Sequence, residues 1–189
     1  DQLNILASGP GVTPKDGRPL VSGALLVIVD GIKKSTKSKA NMPFRGIGPE
    51  GVALRRGVRI TQGRMFTPGA NEIVVGRAML EEFAGFEYGK TIRLRGADWK
   101  VVGVFEAPGT VFESELWADI AVTQGVFKRP NTFQTLRVKL NSPADVAPYK
   151  AWAAKDARLK QVEILTEREY YAKQAAQSTA QFTGIAWAL

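Results

Sequence analysis

Glycine and proline divide this chain into short apolar runs, and their spacing limits the fold more than any other feature. The 189 residues include 19 glycines and 10 prolines, and most of these stand in small clusters between hydrophobic runs. Glycine and proline interrupt regular elements and favour turns. The pattern therefore predicts many strands and turns in one domain or in two small lobes.

The middle third has the clearest strand pattern. Charged and apolar residues alternate in Thr91–Arg95, a turn signal follows at Gly96–Asp98, and Trp99–Phe105 is mostly apolar. A period of two is typical of strands, so these segments predict a hairpin. We expect Trp99, Val101 and Phe105 to lie on one face of its second strand, and Val102 and Val104 to lie on the other.

Other segments predict further strands and helices. Ala24–Asp30 is a continuous apolar run and predicts a buried strand that ends in a turn at Asp30 and Gly31. Gly76–Gly85 predicts a short helix, and Gln161–Leu165 predicts a strand. Thr166–Glu169 has the pattern of a capping box and predicts the start of a helix that continues to at least residue 183.

The order of these elements predicts an α+β fold with an insertion. Strand-helix-strand patterns occupy residues 1–58 and 131–175, which we assign to one discontinuous lobe. The β-rich residues 59–130 would form a second lobe that is inserted into the first.

The chemistry open to the chain is narrow, because the sequence has no histidine and no cysteine. This removes the commonest general base, the usual zinc ligands and any cysteine nucleophile. Outside the predicted final helix, the close carboxylate pairs are Glu81–Glu82 and Glu113 with Glu115, and they have no evident converging partners. The glycines at residues 9–11 and 46–48 lack the context of a nucleotide-binding loop. The sequence therefore predicts no catalytic, cofactor-binding or metal site, and a protein that is not an enzyme.

The densest basic segment contains Lys33, Lys34, Lys37 and Lys39, in a chain of formal net charge +8. These four lysines are a candidate contact surface. One interpretation is a phosphate-binding strip, and the one that we favour is a solvated hairpin or loop. No aromatic residue stands among them, as a stacking platform for nucleic acid would require.

Four aromatic residues in or beside predicted strands, Trp99, Phe105, Phe112 and Trp117, have enough apolar area for a ligand surface. Aromatic side chains on strands more often belong to a core. We therefore expect these four to be buried.

The ends of the chain carry two further expectations. The sequence starts at Asp1 without a methionine or a signal-peptide pattern, which is typical of a fragment or a processed product. The last residues, Phe182–Leu189, are mostly apolar. They are interpreted either as a docking helix or as the entry to a membrane helix, since no segment has the roughly 20 apolar residues of a complete span.

An ordered set of short motifs resembles a known family. The set covers about Val58 to Phe127, with a weaker match from Thr132 to Tyr171. The motifs are Gly63–Phe66, Asn71–Gly76, Ala78–Phe83, Gly89–Ile92, Trp99–Val104 and Leu116–Ile120, followed by Thr123 and Gln124. In this order they resemble the periplasmic core domain of MacB-like, FtsX-like ABC transporter permeases.

The resemblance implies a porter-like lobe of strand-helix-strand units at residues 1–58 and 131–175, with an inserted mostly-β, sabre-like lobe at 59–130. Residues 176–189 would be a helix that leads to a transmembrane segment outside this sequence. The location implied is the periplasmic side of a bacterial inner membrane. The function implied is coupling of cytoplasmic ATP hydrolysis to export, lipoprotein extraction or mechanotransmission, with no cofactor in this chain.

The resemblance also implies partners. These are a second permease subunit (a copy of itself or a paralogue), a cytoplasmic ABC ATPase reached through the membrane helices, and a periplasmic adaptor or membrane-fusion protein. No nucleic acid is expected. The residues alone leave an alternative open, a soluble basic module that binds anionic lipid or nucleic acid through the lysine segment.

Overall fold

The computed structural model describes residues 2–55, 57–170 and 172–173. The chain forms two compact units, of which one combines Asp1–Thr13 with Leu140–Leu189 and the other spans Pro14–Lys139. The division predicted from the sequence has its boundaries at residues 58 and 131 instead, and it stays a prediction. Strands from both sides of residue 58 take part in one sheet.

The larger unit, Pro14–Lys139, is built on strands. In chain order they are β1 (Pro14–Lys15), β2 (Arg18–Pro19), β3 (Val21–Ile32), β4 (Lys39–Ile47), β5 (Arg59–Gly63), β6 (Glu72–Gly76), β7 (Thr91–Leu94), β8 (Ala97–Glu106), β9 (Leu116–Asp119) and β10 (Thr135–Val138). β1 and β2 pair with each other, and the other eight strands form one sheet in the order β10-β3-β4-β9-β6-β8-β5, with β7 also paired to β8. The β4–β9 and β6–β8 pairs are parallel, and the other pairs are antiparallel.

The helices are short. The α-helices that lie entirely within the described residues are α1 (Gln2–Ala7), α2 (Pro49–Ala53), α3 (Arg77–Glu82), α4 (Ile120–Val126) and α5 (Val146–Ala153), and 3-10 helices span Val111–Ser114, Pro143–Asp145 and Ala157–Leu159. Of these, α2, α3, α4 and the first 3-10 helix belong to the larger unit. This mixed α+β composition with a dominant sheet confirms the predicted fold class.

β3 is the longest strand, and it extends the predicted Ala24–Asp30 run at both ends. The predicted turn at Asp30 and Gly31 is wrong, because the strand continues to Ile32. A Cβ atom on Gly31 would lie 2.3 Å from the sulfur of Met42. Glycine at this position therefore makes room for core packing, and the turn to β4 follows later, in residues 33–38.

The predicted β7–β8 hairpin is confirmed, and Arg95 and Gly96 form its turn with positive φ angles of 53° and 80°. The prediction that Val101 and Phe105 share a face is wrong. The register of β8 against β6 shifts by one residue at Val102, which forms a bulge. Val101 therefore packs in one core cluster, while Phe105 packs with Val102 in the other.

Two hydrophobic cores cover the two faces of the main sheet. Trp99 and Phe44 pack in a T-shaped arrangement in the first core, at a centroid distance of 5.0 Å. In the second core, Trp117 stacks on Phe105 at 4.3 Å, and Phe112 meets Trp117 at 5.9 Å. The expectation that these aromatic side chains are buried is confirmed, since none of the four is more than 6% exposed.

The smaller unit contains the residues from both ends of the described chain. The hydroxyl of Tyr149 donates a 2.9 Å hydrogen bond to the carbonyl of Leu6, and the backbone N–H of Asn141 donates one of 2.9 Å to the carbonyl of Gly11. The predicted strand at Gln161–Leu165 is wrong. Those residues follow a 3-10 turn, and none of them is assigned to a strand.

The capping box predicted at Thr166–Glu169 is confirmed. The backbone N–H of Thr166 donates to Oε2 of Glu169 at 2.6 Å, and the N–H of Glu169 donates to Oγ1 of Thr166 at 3.2 Å. A helix begins at residue 167. Its predicted continuation to residue 183, and the helix predicted at 176–189, lie outside the described residues.

Candidate functional site

The four lysines predicted as a contact surface lie in and beside the β3–β4 hairpin. Lys33 and Lys34 begin the connection, Lys37 stands in it with a φ of 55°, and Lys39 starts β4. The connection closes through hydrogen bonds of 3.0 Å from the N–H of Lys33 to the carbonyl of Ser38 and from the N–H of Lys37 to the carbonyl of Lys33. The interpretation as a hairpin is therefore confirmed.

Helix α3 and its C-terminal residue Glu82 bind two of the four lysines, Lys33 and Lys34. Nζ of Lys33 pairs with Oε1 of Glu82 at 2.6 Å, and Nζ of Lys34 donates to the carbonyl of Leu80 at 2.8 Å. The backbone N–H of Lys34 also donates to the carbonyl of Glu82 at 2.8 Å. Lys37 and Lys39 are exposed to solvent.

A shallow open depression lies where the hairpin meets α3. It is lined by Lys34, Ser35, Ala78, Glu81 and Glu82. Two carboxylates and one ammonium group give this lining a net negative charge, which does not fit a phosphate-binding strip. The structure thus brings the Glu81–Glu82 pair and the basic segment together, which the sequence did not indicate.

The other carboxylate pair, Glu113 and Glu115, forms contacts that stabilise the fold. Oε1 of Glu113 accepts a 2.9 Å hydrogen bond from the backbone N–H of Ala107 and so ties down the loop before β9. Glu115 is only 4% exposed and lies at the start of β9, beside the second core. The two carboxylates therefore serve different contacts and do not converge on a common site.

Glu115 forms a buried ion pair with Arg45 of β4. Nε and Nη2 of Arg45 each donate a 2.6 Å hydrogen bond to one carboxylate oxygen of Glu115, and Nε1 of Trp117 donates a third, of 2.7 Å. Arg45 is 8% exposed. A bidentate pair with an additional donor satisfies buried charges in the way that a low-dielectric environment requires.

Further guanidinium groups surround the same aromatic cluster. Arg45, Arg55 and Arg137 lie 5.8, 5.2 and 5.5 Å from the centroid of the Phe112 ring, at the distance of cation–π contacts. Arg55 also lies 5.5 Å from the ring of Trp117. These contacts place three guanidinium groups around one aromatic ring.

Sequence reasoning missed this cluster. One signal was present, because Arg45 stands between Phe44 and Gly46 in a strand that is otherwise mostly uncharged. A charged residue inside a buried strand implies a partner of opposite charge. Nothing in the sequence indicated that this partner stands 70 positions away, at Glu115.

The surface ion pair between Arg64 and Glu72 strongly lowers the pKa of the Glu72 carboxyl group. Arg64 donates to both carboxylate oxygens of Glu72, at 2.7 and 2.6 Å, and the backbone N–H of Thr67 donates to Oε2 at 2.9 Å. The hydrogen bond from Arg64 and those from Thr67 lower the pKa of Glu72 to about 2, against a smaller opposing effect of burial. This pair joins the start of β6 to the segment that follows β5.

In the part of the chain that the structure describes, no group of three or more acidic side chains is placed to hold a metal ion. Among the same residues, no helix combines the length and the hydropathy that crossing a bilayer requires.

Comparisons with known proteins point to one kind of domain. A family model described as MacB-like periplasmic core domain matches residues 7–155. The extracellular domain of the noncanonic ABC-type transporter YknZ from Gram-positive bacteria has a similar fold, with a TM-score of 0.61, 20% sequence identity, and coverage of 83% of this chain and 79% of that chain. The periplasmic region of MacB from Actinobacillus actinomycetemcomitans gives a TM-score of 0.53, 15% identity, and coverage of 80% and 71%. Comparison with curated proteins gives no match.

Proposed function

The chain belongs to the family of MacB-like periplasmic core domains, and we propose that it couples ATP hydrolysis in the cytoplasm to export, lipoprotein extraction or mechanotransmission. As a member of that family, it is a periplasmic domain of an ABC transporter permease. The proposal assigns no reaction to this chain, because hydrolysis belongs to the ATPase of the transporter.

The observation that carries this proposal is that the smaller unit combines residues from the two ends of the chain. Its described residues come from both ends of the chain, and the larger unit, Pro14–Lys139, is inserted between them. Inside the smaller unit, the two segments are joined by the Tyr149–Leu6 and Asn141–Gly11 hydrogen bonds and by a bridge between Val12 and Leu140. A displacement of either segment is therefore shared with the other, and it reaches the larger unit through both chain connections.

Family membership implies partner proteins that would cause or receive such a displacement. A second permease subunit and an ABC ATPase are expected of any ABC permease. The proposal adds a periplasmic adaptor or membrane-fusion protein as the recipient of the motion. We also propose that the domain divides at residues 58 and 131 into a porter-like lobe and an inserted sabre-like lobe.

The test is a distance measurement in the complete permease with its ATPase, in a cysteine-free background. Spin labels on Lys155→Cys, in the smaller unit, and Ala121→Cys, in the larger unit, report on the two units; both positions are exposed. We expect trapping of the ATPase in its ATP-bound state to shift the distance between these labels. The control pair, Thr36→Cys with Ala121→Cys, lies within the larger unit and should not change. An unchanged distance between the units while ATP is hydrolysed would contradict the proposal.

The four lysines Lys33, Lys34, Lys37 and Lys39 remain the proposed contact surface on the β3–β4 hairpin. Lys37 and Lys39 contribute most to it, because α3 holds the ammonium groups of Lys33 and Lys34. Replacing Lys37 and Lys39 by serine should weaken salt-sensitive binding to vesicles that contain anionic lipid. Equal binding of the variant and the parent domain would remove these lysines from the contact surface.

A further inference from the structure

The outer edge of β3 is only partly covered. β10 pairs with Val21–Ala24 alone, and beyond it Oε1 of Gln134 accepts a 2.7 Å hydrogen bond from the N–H of Leu26. At the other end of the strand, the N–H of Ala84 donates a 2.9 Å hydrogen bond to the carbonyl of Ile32. Neither of these two covers reaches the stretch of edge that lies between them.

Ile28 and Asp30 occupy this gap. The backbone groups of successive strand residues point to opposite sides, so those of Ile28 and Asp30 point to the same side as those of Leu26 and Ile32. Pro43 lies opposite Ile28 on β4 and has no N–H to donate, which agrees with this direction. Among the described residues, none forms a backbone hydrogen bond to this side of Ile28 or Asp30.

A groove runs along the gap. The β7–β8 hairpin forms its far wall, and β7 pairs only with β8 in the part of the chain that is described. The residues that line the groove are Ile28, Val29 and Asp30 on β3, and Arg93, Leu94 and Arg95 on the hairpin.

The same strand exposes apolar side chains next to the groove. Ile28 is 49% exposed and Ile32 is 40% exposed, although large aliphatic side chains are usually buried. They stand four residues apart and therefore lie on one face of β3. Edge strands in stable proteins are commonly protected by lysine, proline, a bulge or a covering element. Among the protecting features that the described residues supply, the edge at Ile28 and Asp30 has the carboxylate of Asp30 alone.

The charges beside the groove indicate which kind of strand could bind to this edge of β3. Arg93 and Arg95 line the groove, and Lys39 lies directly across from Ile32 on β4, whereas Asp30 is the only carboxylate in the lining. Asp98 pairs with Arg93 at 2.9 Å. The whole chain carries +8, so a second copy would be repelled at long range and an acidic segment attracted.

We propose that the open edge of β3 at residues 27–31 binds an extended acidic segment of a partner protein as an added strand. Backbone hydrogen bonds to Ile28 and Asp30 supply the pairing, and carboxylates of the segment face Arg93 and Arg95. Apolar residues of the segment cover Ile28 and Ile32. This is the mode of recognition in which a peptide extends an exposed sheet edge. It does not depend on the proposed coupling, because the isolated domain should bind the segment without an ATPase.

The test uses the 189-residue chain and a fluorescent eight-residue peptide, chosen by us, of alternating valine and glutamate, roughly the length of a typical strand. We expect fluorescence anisotropy to show binding, and NMR hydrogen exchange to show added protection of the amides of Ile28 and Asp30. A peptide with lysine in place of glutamate should bind at least about tenfold more weakly, because it meets like charges. Loss of coupling in the complete permease with retained peptide binding would contradict the proposed function alone.

Asp30→Pro removes the donor on the open side and leaves the β3–β4 hydrogen bonds in place, since the N–H of Asp30 does not face β4. It should raise the Kd for the acidic peptide at least about tenfold, while the matched variant Asp30→Ala should not. Arg93→Gln with Arg95→Asn is a second variant that keeps the turn geometry and should weaken binding by a similar factor. Equal affinity in Asp30→Pro and the parent chain, no protection of the two amides, or protection that arises from self-association without peptide would each overturn the proposal.

Discussion

Arg45 and Glu115 are 70 positions apart in the chain, and they meet through two hydrogen bonds of 2.6 Å between β4 and the start of β9. Both are almost fully buried. β4 and β9 are parallel neighbours, so no short turn holds them in register. The ion pair therefore fixes one specific alignment of the two strands.

Glu115→Gln should lower the free energy of unfolding by about 3–5 kcal/mol, because it leaves the buried charge of Arg45 without its counter-ion. Urea denaturation followed by tryptophan fluorescence measures this change. The control is Glu106→Gln, whose carboxylate pairs with the exposed side chains of Arg59 and Arg77, and the loss there should be much smaller. The double variant Arg45→Met with Glu115→Leu should recover most of the loss. A loss in Glu115→Gln no larger than that in Glu106→Gln would show that the buried pair has no special weight.

Gly76 should tolerate no side chain, in contrast to Gly125. A Cβ atom at Gly76 would lie 2.1 Å from the backbone oxygen of Glu113, whereas one at Gly125 in α4 meets nothing within 4 Å. Gly76→Ala should therefore cost about 1–3 kcal/mol, as overpacking in a close-packed region does. Gly125→Ala should gain up to about 1 kcal/mol, because alanine has the higher helix propensity. Thermal unfolding of both variants, compared with the parent chain, tests the difference, and equal melting temperatures would contradict it.

The Arg64–Glu72 pair should contribute to acid sensitivity. Hydrogen bonds from Arg64 and Thr67 lower the pKa of Glu72 from 4.5 to about 2 in the folded protein. A lowered folded pKa gives stability that is present above pH 4.5 and is lost as the pH falls from 4.5 towards 2. The variant Arg64→Gln should be less stable than the parent at neutral pH, and the difference should shrink over that window.

NMR titration of the Glu72 side-chain carboxyl measures the effect directly. Its pKa should move up towards 4.5 in Arg64→Gln. Arg93→Gln, at the well-exposed pair with Asp98, serves as the control and should leave the titration of Glu72 unchanged. A stability difference that stays constant down to the lowest pH would argue against this role of the pair.

Tyr149 should anchor the smaller unit. Its hydroxyl donates to the carbonyl of Leu6, and burial raises the pKa of Tyr149 to about 12. Tyr149→Phe removes this hydrogen bond and leaves the carbonyl of Leu6 with the 3.4 Å hydrogen bond from the N–H of Gly9, so it should cost about 1 kcal/mol. Tyr88→Phe, at a side chain that is 49% exposed, is the control and should have little effect. Hydrogen exchange at the amides of α1 is the local measurement, and unchanged exchange in Tyr149→Phe would contradict the anchoring role.

The same tyrosine predicts an alkaline effect. Because its folded pKa is raised above the ordinary value of 10, its contribution is complete below pH 10 and is lost as the pH rises towards 12. Ultraviolet titration should show a tyrosine transition at about pH 12 that is absent in Tyr149→Phe.

Local elements could be predicted from the sequence because their causes are local. The β7–β8 hairpin follows from alternation on both sides of Gly96, and the capping box follows from Thr166 and Glu169 at their required spacing. The bulge at Val102 and the absence of a strand at Gln161–Leu165 could not be predicted. A bulge depends on how the neighbouring strand aligns, and a strand depends on whether a partner lies beside it.

Features of the chemistry and of the surface also differ in whether the sequence or the tertiary structure decided them. By itself, the sequence determined the α+β composition, the lack of histidine and cysteine chemistry, the solvated character of the lysine segment and the motifs of the family. Only the tertiary structure decided that α3 holds Lys33 and Lys34, that Arg45 meets Glu115, and that no described residue pairs with the edge of β3 at Ile28 and Asp30. Composition and short-range patterns act between neighbours in the chain, whereas these three features depend on strand order and register, which bring distant residues together.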